Sequence, residues 1–201
     1  MSGFITLQTK ESGLQLNPRK MRSKTVKESY GLSVGNKVTD FQGTDQEGNK
    51  IQLSELLKRG KVVVVFYRGQ WCPFCMPHLK KLQDSLLEIK EKGASIVIVT
   101  PEKQENIQKT ILKTSITIPI IYDENYKIME IFDVAFVPGK GLRVVYNTML
   151  RADLKHSQSD DSQTLPVPAT FIIDTDSKII WRHFDRDYKK RASIEEMLNQ
   201  L

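Results

Sequence analysis

Two cysteines make up the whole thiol content of this sequence, and that shortage excludes a disulfide-stapled secreted scaffold, which needs many more. Long apolar runs are also missing. None approaches the roughly 20 residues that span a bilayer, and the first thirty residues lack the apolar core of a signal peptide. The expected compartment is the cytoplasm, with no membrane partner. Internal repeats and low-complexity tracts are absent. The three histidines, His78, His156 and His183, show no ligand spacing that would add to the cysteines the four donors a structural zinc needs, so no metal and no cofactor are expected. His78 reads as solvated. Acidic charge is in deficit: the net charge is +6, with a pI near 9.2. The densest basic stretch, "NPRKMRSKTVK" at 17 to 27, carries no interleaved aromatics and no nucleic-acid motif, so it reads as a solvated leader without a nucleic-acid partner.

What is present is ordinary for a soluble globular chain, with 39% hydrophobic and 27% charged residues in a length of 201. That length fits one cored domain, placed at 34–201 behind a polar leader at 1–33. The segment "VGNKVTDFQGTDQEGNKIQLSEL" predicts a hairpin, with one strand ending at Phe41, a turn at 47–49 and a second strand from Lys50 to Leu53. Ser54 is expected to cap a short helix ending near Gly60. "KVVVVFY" and "SIVIVT" are continuous β-branched runs, the mark of strands buried on both faces of a parallel sheet. Between them Leu79, Leu82, Leu86 and Ile89 recur at helical spacing up to Gly93, giving a strand–helix–strand unit. Helices near 105–113 and 125–132, a strand at "IPIIY", a hairpin from "PATFIID" and "KIIWRHF", and a last helix capped by Ser193 complete the alternation. The stretch 135–165 interrupts it, either as a cover for a site or as a surface insertion.

Both cysteines lie in "FYRGQWCPFC", directly after the first buried strand. Thiol chemistry runs through the thiolate, so the question is what stabilises negative sulfur there. Cys72 is expected near the N-cap of the following helix and Pro73 near its first position, so that free N–H groups and the helix dipole favour the anion. A purely structural disulfide would close too short a loop to stabilise much. A CxxC beside a strand–helix–strand unit points to redox exchange. Far downstream, "LPVPATFIID" places Val167 and Pro168 before a strand. The expectation is a cis Val167–Pro168 bond facing the CxxC, as in the thioredoxin fold; the alternative is a proline that simply begins an edge strand.

From about Val34 onward the sequence resembles peroxiredoxins of the alkyl hydroperoxide reductase/thiol-specific antioxidant family. "YRGQWCPFC", "LPVPATFIID" and "FDRDYKKRASIEEML" are similar to a peroxiredoxin-like subgroup with a thioredoxin-style CxxC. The resemblance implies an α/β, thioredoxin-like fold: a central mixed sheet flanked by helices, with an N-terminal β-hairpin extension. It implies a hydroperoxide substrate, an external dithiol reductant such as a thioredoxin or glutaredoxin, and a homodimer. Against the family's Pro-x-x-x-Thr-x-x-Cys loop, Cys75 takes the peroxidatic place, Cys72 that of the threonine and Arg68 that of the proline. The family arginine before the later strand aligns with Pro168. Arg68 is therefore the expected replacement cation. Thioredoxin logic assigns the roles the other way, with Cys72 as nucleophile, Cys75 as resolver, and Trp71 and Pro168 lining the groove. Both assignments give a thiol-dependent oxidoreductase cycling through a Cys72–Cys75 disulfide. The competing functions are a protein disulfide reductase with little peroxidase activity and a redox-inert scaffold.

Overall fold

The computed structural model describes residues 24–201; the basic residues at 17–23 and the rest of the expected leader before Lys24 lie outside them. The described part of that leader, 24–33, lies against the domain. Lys24 pairs with Asp133 at 2.6 Å, the buried Ser29 hydroxyl donates to Ala135 O, and Arg182 donates to the carbonyls of 30, 31 and 32.

Among the described residues, nine strands follow in chain order. A short antiparallel pair, β1 (Gln42–Thr44) and β2 (Lys50–Gln52), comes first. The central strands are β3 (Val62–Phe66), β4 (Ser95–Thr100) and β5 (Ile120–Tyr122). A second short antiparallel pair is β6 (Ala135–Phe136) with β7 (Leu165–Pro166), and β8 (Ala169–Ile173) and β9 (Ile179–Phe184) end the series. The core is a five-stranded mixed sheet in the order β5-β4-β3-β8-β9. In it β3, β4 and β5 run parallel, while β8 pairs antiparallel with both β3 and β9. The β-branched runs become the central strands because both their faces are covered. Val63, Val65, Ile96, Ile98 and Ile172 point into one apolar layer. Val62, Val64, Phe66, Val97, Val99 and Phe171 point into the other.

The second layer is closed by α1 (Leu53–Leu57) and by the helix Lys127–Ile131, α5 in chain order, with Phe132 against Phe66 at 5.1 Å between ring centroids. The first layer is covered by α2 (Cys75–Asp84), α3 (Leu86–Glu91), α4 (Gln104–Thr114), α6 (Lys140–Thr148) and α8 (Ile194–Leu198). A short α7 (Leu154–Ser157) follows α6.

Several expectations need correction. The first hairpin strand is Gln42–Thr44 and starts after Phe41; Phe41 is buried, and its carbonyl accepts from Leu53 N–H, the residue next in register beyond the Gln42–Gln52 pair. Ser54 does not cap α1; Asp40 accepts from both its N–H and its hydroxyl. The crossover helix is two helices, broken at Ser85, whose hydroxyl bonds back to Lys81 O at 3.0 Å. Ser193 does cap the last helix, accepting from Glu196 N–H. The expected cis bond is not formed: Val167–Pro168 is trans. Val167 N–H is committed to Val134 O at 2.8 Å, and Ala169 pairs with Phe66, so the chain enters β8 extended.

Candidate active site

The site lies where β3 and β4 end, the edge of an open α/β sheet at which loops converge. After β3 come Arg68, Gly69 and Trp71 in a tight turn, then Cys72, whose N–H donates to Gly69 O at 3.1 Å. Regular helix starts at Cys75, with Phe74 rather than Cys72 at the N-cap position. The delay has a local cause: Cys75 N–H reaches back only to Cys72 O, at 3.1 Å, so the chain makes one tight turn through Pro73 before the helical pattern sets in. Met76 N–H shares that carbonyl at 3.5 Å. The Phe74 N–H still acts on the sulfur, as the smallest of the influences that lower the Cys72 thiol.

Both thiols are free and buried, and their environments push them apart. Cys72 is held below the ordinary thiol range, at about 6. The Cys75 S–H donated to it is the largest cause, and the charges of Arg68 and Arg191 and the Phe74 N–H add to it against the cost of burial. Cys75 is pushed well up, first by burial and then by the hydrogen bond it gives Cys72 and by the negative sulfur beside it. One sulfur is the anion and its neighbour the proton donor.

Arg191 reaches the pair from the segment before α8. Its Nη2 lies 3.4 Å from Cys75 Sγ and 3.9 Å from Cys72 Sγ. Its Nη1 donates to the carbonyls of Tyr188 and Lys190. Sequence reasoning missed this residue; the tail "FDRDYKKRASIEEML" contains it but gives no sign of where it folds.

Arg68 is 1% exposed. Its guanidinium is enclosed by three rings, at 4.7 Å from the centroid of Trp71, 4.6 Å from Tyr146 and 4.4 Å from Tyr188. Nη1 donates to Tyr146 Oη at 3.3 Å, while Nε and Nη2 have no hydrogen-bond partner among the described residues. Tyr146 belongs to α6, so the interruption at 135–165 covers the site. Tyr146 and Tyr188 were also missed, since their proximity to Arg68 depends on long-range folding.

Glu102, just after β4, is a further buried titratable group that was missed. Its Oε2 accepts from Gln70 N–H at 2.7 Å, and its Oε1 has no hydrogen-bond partner among the described residues. Burial raises its carboxyl to about 8, against the lowering effect of that N–H and of Lys109 and Lys113.

Pro73 is exposed in the turn between the cysteines. Val167 is buried in the first core layer with the cysteines. Pro168 meets His78, His183 and Arg191 in a narrow crevice. His78, expected in solvent, is buried, and burial followed by the charge of Arg191 lowers its pKa to about 4.

This arrangement is found on a fold with known relatives. The chain is 25% identical over 150 residues to the thiol-disulfide oxidoreductase ResA of Bacillus cereus, covering 74% of this chain and 68% of that protein. The crystal structure of peroxidoxin BcpB from Mycobacterium tuberculosis superposes with a TM-score of 0.63 at 23% identity, over 84% of this chain and 96% of that one. A cysteine-to-serine mutant of PrxQ from Xylella fastidiosa gives a TM-score of 0.66 at 14% identity, over 85% and 96%. Those structures share the thioredoxin-like peroxiredoxin fold. Residues 34–182, most of the domain that carries the dithiol, match the AhpC/TSA family model, and the chain belongs to the AhpC/TSA family.

Proposed function

We propose that the protein is a dithiol peroxidase in which Cys72 attacks and Cys75 resolves. The observation that carries this reading is the convergence of Arg68 and Arg191 on a sulfur already receiving the Cys75 proton. The Cys72 thiolate attacks the terminal oxygen of a hydroperoxide, the O–O bond breaks, and the departing alkoxide takes a proton to leave as an alcohol. Cys72 becomes a sulfenic acid. Cys75 sulfur then displaces its hydroxyl as water, giving the Cys72–Cys75 disulfide. An external dithiol, of thioredoxin or glutaredoxin type, returns the pair to thiols by exchange and is itself oxidised. The guanidiniums stabilise charge developing on the leaving oxygen, the role expected of Arg68 from its position. A cytoplasmic setting and a homodimer belong to the same reading, the first carried over from the sequence expectation and the second resting on the family resemblance.

A disulfide-exchange reading is favoured by a different observation. An anionic first cysteine and a protonated second one also suit attack on a protein disulfide, and ResA is named a thiol-disulfide oxidoreductase. Rapid mixing of the reduced protein with hydrogen peroxide, beside an insulin-disulfide reduction assay, separates the two. Fast thiol loss with slow insulin reduction supports the peroxidase. The reverse result replaces it with the exchanger.

A further inference from the structure

Beside the dithiol, between α2 and the segment entering α8, lies a groove of about 420 Å³. It is a size that suits a small ligand. One wall comes from the start and body of α2, where Phe74, Pro77, His78 and Lys81 stand at helical spacing on a single stripe. The opposite wall is formed by 191–194, with Arg191 and Ile194 facing that stripe. The charges are of one sign: Lys81 and Arg191 line the groove, and among the described residues no Asp or Glu does. Phe74 is 39% exposed there, a large ring left in contact with water. Ser193 is occupied in capping α8, so the polar recognition available comes from the two cations and the His78 ring.

Two cations beside an apolar slot are complementary to an amphiphile with an anionic head. We propose that this groove is a binding site for a small amphiphilic carboxylate, its head held by Lys81 and Arg191 and its short apolar chain laid on Phe74, Pro77 and Ile194. A neutral molecule of the same shape would leave Lys81 facing the slot without a counter-charge, since Arg191 already lies beside the Cys72 thiolate. A hydrophilic carboxylate without the chain would leave Phe74 in water. Selectivity therefore requires both parts of the ligand. Binding in the groove does not depend on which substrate the dithiol reduces.

The test is calorimetric titration of the full chain, reduced, with octanoate, and with octanol and acetate as controls. The expected result is saturable octanoate binding about tenfold or more tighter than either control. Lys81→Ala should weaken octanoate binding about fivefold or more, with Lys81→Arg restoring it, while the rate with hydrogen peroxide stays at the wild-type value. Phe74→Ala should weaken octanoate binding and leave that of acetate unchanged. Octanol binding as tightly as octanoate, octanoate binding no tighter than acetate, or Lys81→Ala binding octanoate like the wild type would overturn the assignment. Peroxide reactivity is measured separately, so failure of the groove and failure of the peroxidase reading are distinguishable.

Discussion

Arg191 places Nη2 3.4 Å from Cys75 Sγ across 116 residues of sequence, making a residue of the C-terminal tail part of the sulfur environment. Arg191→Gln removes that charge from a buried pair, where it is poorly screened. The Cys72 thiolate titration, followed by ultraviolet absorbance, should move up by about one pH unit. Arg191→Lys should recover part of the shift. A titration that coincides with the wild type would remove Arg191 from the site.

The Cys72 pKa near 6 owes most to the Cys75 S–H donated to its sulfur. Below that point the thiolate fraction, and with it the rate of thiol oxidation, should fall about tenfold per pH unit; above it the rate should level off through neutrality. Cys75→Ala deletes the donor and should shift the onset of the plateau towards the ordinary thiol range. An onset unchanged in Cys75→Ala would mean that the hydrogen bond is not the main cause.

The central strands and the CxxC were legible because local pattern fixes them. Val62 to Phe66 cannot sit half in water, and two sulfurs behind such a strand have few other uses. That a helix follows the cysteines was legible from the leucine spacing, although its first regular turn begins at Cys75. Arg191, Tyr146, Tyr188 and Glu102 were not legible. Each reaches the site from another element, and nothing in the residues around them encodes that proximity. Pro168 misled because a proline before a strand has the same sequence signature in cis and in trans. His78 misled because a histidine on a helix that also carries Lys80 and Lys81 looks solvated until Pro168, His183 and Arg191 are packed against it.

Gly69 closes the turn that carries Arg68 and Trp71. Its φ is +154°, and a Cβ there would lie 2.7 Å from Glu102 Cδ. Gly69→Ala should cost roughly 1–3 kcal/mol of stability and disturb the stacking of Trp71 on Arg68. Thermal unfolding and tryptophan fluorescence measure the two effects. An alanine variant with wild-type stability and fluorescence would show that the turn has room to spare.

Glu102 supplies a pH dependence of opposite sign to that of a surface carboxylate. Its folded pKa is raised, from 4.5 to about 8, so between those values the unfolded chain releases a proton that the folded chain keeps. This contribution to stability is complete below pH 4.5, falls as pH rises towards about 8, and is constant beyond. Glu102→Gln keeps an oxygen for the Gln70 N–H and removes the titration. The variant should therefore gain on the wild type between about pH 5 and about pH 8, by more than about 1.4 kcal/mol, the worth of one pKa unit. Parallel stability–pH curves would mean that Glu102 is not held protonated in the fold.

The order of attack by the two sulfurs decides between the thioredoxin-like and the family assignment of roles. Each single serine variant, reduced and given one equivalent of hydrogen peroxide, can be trapped with a sulfenic-acid reagent and mapped by mass spectrometry. Cys75→Ser should react rapidly and carry the label on Cys72, whereas Cys72→Ser should react slowly and carry little. A fast reaction in Cys72→Ser with the label on Cys75 would contradict the account and restore the family's usual peroxidatic position.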